Sequence, residues 1–495
     1  MTACGQASQR SVKVGQRSFA ELFSGATEAL SLDSYQRPYV WGREKVEQLL
    51  EDLRDHQSKP ESPDYYMGTI LLHAAAGEGA AQARMFVIDG QQRLTALCIL
   101  HYLLTGGLPA NCELSYRNPL SINNIRLARD LMQQPQLSAA IFDRICFTVI
   151  TVDSEDLAFT FFDTQNNRGV PLNATDLLKA FHLRAIAKAD HAIALEKACA
   201  GRWERMQKMP AVLGGHSDFA PALFGLLLWR ARCWTGNVAD GRRLEDLRDL
   251  LIDEFQTRSI AMPSADTVPL YASMSNRRAT ALKLLPHDEY YLESASIRLG
   301  GRAVDLPFAI RQPLPRGVGF FLYADKYAEV ATAMLREDQG DPQMRAFKMF
   351  HDEVVAGGSD YLRQAFLLAS LMYLDQFGPD QLLMFALRLE HLLGAIRVEW
   401  QSVKAETAVN FFKREPRNLL DVIGGAFRPE EVIKYLQERA KSHADQAFDD
   451  NSDHEGGVRG RYQQRVLRYF DRTGTLAGKR TWITDAFVRG KVGAS

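Results

Sequence analysis

The chain has 495 residues, of which 46% are apolar and 24% charged, a composition that excludes a disordered or fibrous protein and indicates a globular one. This length exceeds what one compact core usually holds, so two or three domains are expected. The formal net charge of -1 excludes nucleic-acid binding through a global positive field and leaves only a local patch for it. The six cysteines are scattered without a CxxC pair, which favours reduced thiols.

Targeting segments are absent from the sequence pattern. The N-terminal stretch MTACGQASQRSVKVGQRSF lacks the apolar region of a signal peptide. No stretch approaches the roughly 20 apolar residues that span a membrane. We therefore predict a cytoplasmic protein that makes no membrane contact.

Residues 30–182 alternate between strand-like and helix-like segments. Val46, Leu49, Leu50 and Leu53 follow the i, i+3, i+4, i+7 spacing of one helix face. The β-rich runs YYMGTILLH and RMFVIDG, joined by the small residues AAAGEGAAQA, predict a hairpin, and RICFTVITVD predicts a further strand. This first part of the chain is therefore predicted to be a small α/β domain.

From about residue 183 the chain changes character. Long segments rich in Leu, Ala, Phe and Met, such as LRQAFLLASLMYLDQF, carry helical periodicity and few β-branched runs. We predict an α+β fold with a small α/β domain at 18–185, a helical domain at 186–445 and a basic C-terminal segment at 456–495.

The C-terminal stretch RGRYQQRVLRYFDRTGTLAGKRTW interleaves arginines with aromatic residues. Arginines beside stacking aromatics could bind a nucleic-acid backbone. A surface helix with one apolar face explains the same pattern. The sequence leaves both interpretations open.

The stretch FVIDGQQRLTALCILHYL passes from a strand directly into a helix. The strand is predicted to end at Asp89, and Gly90 permits a tight turn before a helix that begins near Leu94. Gln92 and Arg93 then project where helix N–H groups and the positive dipole end converge, which is a generic anion site. The alternative is that Asp89 caps the helix and pairs with Arg93, so that the motif only stabilises a turn.

A second polar stretch, FFDTQNNRGVPLNATDLLKAF, precedes another helix. Asn173 and Asp176 have the spacing of a capping box. Three consecutive amide side chains, ending with Asn166 and Asn167, come before Arg168. Amides donate and accept hydrogen bonds at once, which suits a nucleotide base, a ribose or a metal-bound water.

The third stretch, SYQRPYVWG, mixes aromatic and polar residues. Tyr39 and Trp41 are predicted to fill the domain core. Pro38 favours an extended backbone at Arg37, so Gln36 and Arg37 could project into the same cleft as the other two motifs.

Taken together, YQRPYVWGREKVEQLLEDL, YYMGTILL with FVIDGQQRLTAL, and FFDTQNNRGVPLNATDLLKAF resemble the N-terminal domain of the GmrSD/SspE family of modification-dependent antiphage restriction proteins. Their order and spacing match over residues 18 to about 185. That family belongs to the ParB/sulfiredoxin-like superfamily, whose members bind nucleotides or phosphates in a small α/β domain. Thr164 falls where the superfamily has its metal-binding glutamate, so the metal ligands are left unassigned.

The resemblance implies a site that binds and hydrolyses a nucleoside triphosphate with Mg²⁺. The residues that it makes catalytic are Asp89, Gln92 and Arg93. The residues that it makes nucleotide-binding are Gly90, Gln91, Gln92, Arg93, Asn167, Arg168 and Asp176. The residues that it assigns to sensing modified DNA are Tyr35, Gln36 and Arg37.

None of the eleven histidines has the Pro, Asn and Lys or His neighbours of an HNH nuclease. The helical part is therefore predicted to be a scaffold or partner-binding module, and the resemblance implies that a separate nuclease or effector protein cleaves DNA. The leading hypothesis is a nucleotide-hydrolysing sensor subunit of an antiphage system, with DNA as a partner and self-association compatible with the sequence. The alternatives are a ParB-like DNA clamp that does not hydrolyse nucleotide and a nuclease of unrecognised type.

Overall fold

The structure is a computed structural model of the chain. It describes residues 12–24, 28–32, 38–75, 84–116, 119–153, 173–186, 192–210, 218–262, 268–269, 271, 280–284, 290–294, 302–337, 340–413, 417–450 and 456–494. Contacts divide the chain into two compact units, Met1–Leu172 and Asn173–Ser495. We call them the N-terminal unit and the helical unit. The predicted α+β class is confirmed, because a mixed sheet is followed by a largely helical region.

The N-terminal unit is built on one mixed sheet. Its described strands are β1 (Val12–Ser18), β2 (Leu30–Ser31), β3 (Tyr65–Ala75), β4 (Arg84–Asp89), β5 (Cys112–Glu113) and β6 (Ile145–Val152). Their order in the sheet is β1-β6-β3-β4-β2-β5. β3 pairs antiparallel with β4, which confirms the predicted hairpin, and parallel with β6. β2 lies parallel to both β4 and β5.

Helices pack on one face of this sheet. They are α1 (Phe19–Leu22), α2 (Arg43–Gln57), α3 (Gln91–Thr105) and α4 (Pro119–Leu131), with a 3₁₀ turn at Ala139–Asp143. The apolar face predicted for α2 is confirmed, since its four aliphatic residues belong to the buried core. Alternate residues of β3, among them Ile70 and Leu72, face the same core because side chains of a strand alternate between faces.

The helical unit contains long helices and one described hairpin, β7 (Thr280–Leu284) with β8 (Tyr290–Ser294). Its helices are α5 (Ala174–Ile186), α6 (Ala192–Gln207), α7 (Ala220–Ala222, Leu223–Leu228 and Trp229–Cys233), α8 (Arg248–Ile252 and Asp253–Thr257), α9 (Val318–Ala333), α10 (Pro342–Phe350 and His351–Val355), α11 (Asp360–Phe377), α12 (Leu382–Glu399), α13 (Ala405–Lys413), α14 (Leu419–Gly425), α15 (Pro429–Ser442), α16 (Ala444–Asp450), α17 (Gly457–Tyr469) and α18 (Asp485–Ala494). The segments Leu223–Leu228, Asp253–Thr257 and His351–Val355 are π-helical. Among the described residues, no helix combines the length and hydropathy that crossing a membrane requires.

A fully buried histidine joins three elements of the helical unit. His182 of α5 has its Nε2 2.9 Å from the carbonyl oxygen of Phe255, and its Nδ1 accepts a hydrogen bond of 3.2 Å from Gly317 N–H. The ring stacks on Phe320 with centroids 3.7 Å apart. One nitrogen that donates and one that accepts define a neutral imidazole. Burial accordingly lowers the pKa of His182 to about 3.

The C-terminal segment (456–495) packs against the rest of the helical unit through a buried triad of Lys479, Glu390 and Tyr462. Lys479 Nζ lies 2.7 Å from Glu390 Oε2 of α12 and 2.9 Å from the Tyr462 hydroxyl of α17. Tyr462 donates a hydrogen bond of 2.5 Å to the other carboxylate oxygen of Glu390. Burial lowers the pKa of Lys479, while the carboxylate opposes that shift. The triad therefore joins this segment to α12 through groups removed from water.

The aromatic residues of the same segment lie inside the unit. Tyr462, Tyr469 and Phe470 are all buried, whereas Arg461 and Arg468 are exposed. This arrangement confirms, for these rings, the interpretation as a helix with one apolar face. Buried rings cannot offer a stacking surface to nucleic-acid bases.

Candidate functional site

The DGQQR motif forms the turn between β4 and α3. Gly90 has a left-handed φ of 96°, and α3 begins at Gln91 rather than near Leu94 as predicted. The left-handed turn places the next residues directly in helical geometry, so Leu94 N–H already bonds to the Gly90 carbonyl at 3.0 Å. A Cβ at Gly90 would lie 3.0 Å from Ile70 Cγ1, which adds a packing reason for glycine.

The N-terminus of α3 has the properties of an anion site. Its N-cap residue, Gly90, has no side chain that could cap the first turn, and the helix is 15 residues long. Helix N–H groups in the first turn have no intrahelical acceptor, and the dipole there favours negative charge. Of the predicted residues, Asp89, Gly90, Gln91, Gln92 and Arg93 are thus brought together at one helix end.

Arg93 is held by two backbone carbonyls of β3. Its Nη1 donates to the carbonyl of Met67 at 2.8 Å and its Nη2 to the carbonyl of Thr69 at 2.7 Å. Asp89 Oδ2 lies 3.4 Å from Nη2, so the pairing that the sequence left as an alternative is present. The side chains of Arg93 and Asp89 remain 23% and 31% exposed, so the guanidinium is fixed but reachable.

The absence of a side chain at Gly68 leaves room for the Arg93 guanidinium to bind these two carbonyls. The register of β3 against β6 shifts between Tyr66 and Thr69, and Gly68 has a φ of 98° within that bulge. A Cβ on Gly68 would lie 2.3 Å from Arg93 Nη1. Gly68 was not among the residues predicted from the sequence. Its signal was a glycine inside a β-rich run, which often marks a bulge or a close approach.

Gln92 does not point toward solvent. It is 5% exposed, its Oε1 accepts a hydrogen bond from Val40 N–H at 2.8 Å, and its Nε2 donates to the Pro38 carbonyl at 2.9 Å. Both ends of the amide therefore bind the backbone of the loop 38–40. In the described structure Gln92 positions that loop, and its predicted catalytic role remains a proposal.

Helix α4 holds the same loop from the other side. Tyr39 N–H donates to Ser121 Oγ at 2.9 Å, and Asn124 Nδ2 donates to the Tyr39 carbonyl at 3.0 Å. Tyr39 is fully buried, which confirms its predicted place in the core. Sequence reasoning missed Ser121 and Asn124, because a partner about 82 residues away leaves no local pattern.

Hydroxyl groups lie beside Arg93 on the sheet. The Tyr66 hydroxyl is 3.0 Å from Thr148 Oγ1 and 3.5 Å from Thr69 Oγ1, and Tyr66 is 55% exposed. Hydrogen bonds from Thr148 and Thr69 lower the pKa of Tyr66, and the charge of Arg93 adds to that effect. These hydroxyls were not predicted from the sequence, and they could donate hydrogen bonds to a bound anion.

The other predicted site residues are not part of the described turn between β4 and α3. Tyr35, Gln36, Arg37, Asn167 and Arg168 lie outside the described residues.

Asp176 lies in the first turn of α5, in the helical unit, where its N–H bonds to the Asn173 carbonyl at 3.0 Å. The Asn173 side chain caps the same turn through Thr175 N–H at 3.4 Å, as its predicted capping role requires. Burial lowers the pKa of Lys179, and the carboxylates of Glu204 and Asp176 oppose that shift.

A divalent metal would have few protein ligands in the described part of the N-terminal unit. The described residues contain no group of three or more His, Cys, Asp or Glu positioned to hold a metal. Mg²⁺ is usually bound through one or two carboxylates together with substrate phosphates. Asp89 fits that donor set, since its carboxylate is partly exposed beside the helix N-terminus.

Two known sequence families match different parts of the chain. Residues 19–183 match the GmrSD restriction endonuclease, N-terminal domain, so the predicted resemblance to the GmrSD type is confirmed. This match indicates a restriction-type antiphage system. Residues 195–452 match a family of unknown function, DUF7834, and the chain belongs to this family because the match spans more than half of its length. No curated protein matches the sequence.

Replacing Gln92 with glutamate tests its positioning role. The carboxylate keeps the acceptor for Val40 N–H but loses the donor to the Pro38 carbonyl and brings two oxygens together. We expect the free energy of unfolding to fall by about 1–3 kcal/mol, the cost of an unsatisfied buried group. Chemical denaturation measures it, with exposed Gln133→Glu as the matched control. Equal stability of the two variants would show that the amide contacts do not hold the loop.

Proposed function

We propose that the N-terminal unit binds a nucleoside triphosphate at the start of α3 and hydrolyses it. We further propose that the chain is the sensor subunit of a restriction-type antiphage system. The observation that supports this most directly is the N-terminus of a long helix, whose N-cap residue is a glycine, with Arg93 fixed beside it. A helix N-terminus with a neighbouring guanidinium is well suited to phosphate.

Arg93 retains donors for such a phosphate. A guanidinium carries five N–H groups. The described contacts to Met67, Thr69 and Asp89 use three of them, which leaves two for a ligand. Anchoring by two carbonyls removes side-chain freedom before the ligand arrives, so less entropy is lost on binding. Positive charge held at this point would stabilise the charge on the transferring phosphoryl group.

Asp89 is the carboxylate that we propose to hold Mg²⁺ or to orient the attacking water. It reaches Arg93 at 3.4 Å and keeps 31% of its side chain exposed. Mg²⁺, when bound with the triphosphate, neutralises phosphate charge. Gly90 and Gln91 would contribute backbone N–H groups, while Asn167, Arg168 and Asp176 are proposed as further nucleotide contacts from the family resemblance alone.

The same geometry supports a connection between DNA sensing and the nucleotide site. The proposed sensing residues Tyr35, Gln36 and Arg37 directly precede Pro38, whose carbonyl accepts the Gln92 amide. Gln92 belongs to the first turn of α3, next to Arg93. A shift of the sensing segment would therefore act on the first turn of α3 through the side chain of Gln92. DNA and a separate nuclease or effector protein are the partners we propose.

A phosphate-release assay tests the enzymatic part of the proposal. The purified full chain is incubated with Mg²⁺ and each of the four ribonucleoside triphosphates, with unmodified or modified DNA. We expect turnover of at least one triphosphate, and the exposed Arg43→Ala variant should keep it. No phosphate release under any of these conditions would overturn hydrolysis. Tight nucleotide binding without turnover would instead support the non-hydrolysing clamp, and Mg²⁺-dependent nicking of plasmid by the chain alone would support a nuclease.

A further inference from the structure

Two cysteines of the N-terminal unit lie in direct contact. Cys98 of α3 and Cys112 of β5 have their Sγ atoms 3.6 Å apart, and both are free thiols. A disulfide bond is about 2.05 Å long, so the sulfurs need to approach by roughly 1.5 Å. Rotation about χ1 of a cysteine moves its sulfur over that distance without moving the backbone. Cys98 is buried, and Cys112 is half-buried.

The two thiols have different acidities because their surroundings differ. The hydrogen bond between the two sulfurs lowers the pKa of Cys112 to about 7 although burial opposes it, and a Leu114 backbone N–H adds to the lowering. Burial raises the pKa of Cys98 well above its usual value. Thiolates react with oxidants and thiols do not. Cys112 is therefore the sulfur that attacks first, and Cys98 is placed to attack it in turn.

We propose that Cys98 and Cys112 form an oxidation site in which a peroxide converts the pair of thiols into a disulfide. The Cys112 thiolate attacks one peroxide oxygen, the O–O bond breaks, and the leaving hydroxide takes a proton to become water. Cys98 sulfur then attacks Cys112 sulfur of the resulting sulfenic acid, the S–O bond breaks, and the hydroxyl leaves as water with the Cys98 proton. One hydrogen peroxide and two thiols give one disulfide and two waters.

The position of the pair gives the disulfide a structural consequence. α3 carries the DGQQR turn at its N-terminus, and Cys98 lies two turns further along the same helix. Cys112 pairs with Leu30 of β2, and β2 pairs with β4. The disulfide would therefore fix the helix that carries the motif to the sheet from which it emerges. This site does not depend on the proposed nucleotide chemistry.

Mass spectrometry of the full chain tests the proposal. All proteins carry Cys4→Ser, because Cys4 lies outside the described residues. After brief treatment with hydrogen peroxide at about pH 7.5, we expect a mass loss of two hydrogens, a peptide cross-link between positions 98 and 112, and full reversal by dithiothreitol. In the reduced protein, alkylation of Cys112 should be at least about tenfold faster than alkylation of Cys98, as their thiolate fractions require.

Three variants separate this mechanism from unspecific oxidation. Cys98→Ser should leave a sulfenic acid on Cys112 that dimedone traps, whereas Cys112→Ser should leave Cys98 reduced. Cys146→Ser is the matched control, since Cys146 is a buried thiol of the same unit that accepts a hydrogen bond from Gln16, and it should still form the cross-link. Oxidation without a 98–112 cross-link, or equal oxidation of Cys146 and Cys112, would overturn the proposal.

Discussion

Arg93→Ala is expected to abolish nucleotide hydrolysis and to destabilise the N-terminal unit at the same time. The loss of stability follows from the carbonyls of Met67 and Thr69, which lose a charged donor at 2.8 and 2.7 Å. Hydrogen bonds to charged groups contribute about 1.5–3 kcal/mol each when buried. Because the side chain is 23% exposed, we expect a total of about 2–4 kcal/mol. The loss of turnover follows from the charge removed beside the helix N-terminus.

Stability alone cannot separate the two roles of Arg93, so turnover must be measured per folded molecule. Arg93→Lys keeps the charge but cannot bridge two carbonyls with a planar fork, so it should recover turnover only in part. Gly68→Ala keeps the guanidinium and displaces it, because the new Cβ would lie 2.3 Å from Nη1. Arg43→Ala, which removes an exposed ion pair, should change stability by less than about 0.5 kcal/mol. If the folded Arg93→Ala variant kept full turnover, Arg93 would have only a structural role, and the predicted role in hydrolysis would be wrong.

The helical unit is expected to lose stability as the pH falls below about 6.5, in part through His182. Its folded-state pKa is lowered to about 3, whereas an exposed histidine titrates near 6.5. Between about pH 3 and 6.5, His182 is therefore protonated in the unfolded chain and neutral in the folded chain. The free energy of unfolding therefore falls by about 1.4 kcal/mol per pH unit from this residue alone. Above pH 6.5 the contribution is constant.

Urea denaturation between pH 7.5 and 5 measures this slope, before most carboxylates titrate. His182→Gln keeps a donor toward Phe255 and an acceptor for Gly317 N–H but cannot titrate, so its slope should be shallower by about 1.4 kcal/mol per pH unit. His391, whose pKa burial also lowers to about 3, keeps its own contribution in every variant. Identical slopes for His182→Gln and the native chain would contradict the prediction.

Local sequence patterns were sufficient to predict the helices and strands. The contacts that their side chains make depend on residues far away in the sequence. The spacing of Val46, Leu49 and Leu50 suffices to predict the buried face of α2, because helix geometry alone sets it. The strand–turn–helix around Gly90 was predictable for the same reason, although its helix begins three residues earlier than expected.

The partners of the motif side chains were not predictable from the sequence. Arg93 bonds to carbonyls 26 and 24 residues away, and Gln92 to backbone atoms 54 and 52 residues away. Backbone atoms leave no residue-type signature, so nothing in the sequence points to them. From the sequence, Gln92 was predicted to contact a ligand because it lies in a phosphate-binding motif. In the structure its amide binds the backbone of the loop 38–40. The roles of residues 33–37 and 154–172 stay predictions.

The buried triad of Glu390, Tyr462 and Lys479 has a consequence for dissecting the chain into fragments. The match to DUF7834 ends at residue 452, which is an obvious place to truncate a protein for expression. Such a fragment would keep Glu390 in the middle of α12 and lose both of its partners. It would also uncover Phe448, over whose ring Lys479 lies at 4.5 Å. The smallest autonomous fragment of the helical unit therefore has to extend through the 3₁₀ turn at Lys479–Thr481, beyond the limit of sequence similarity.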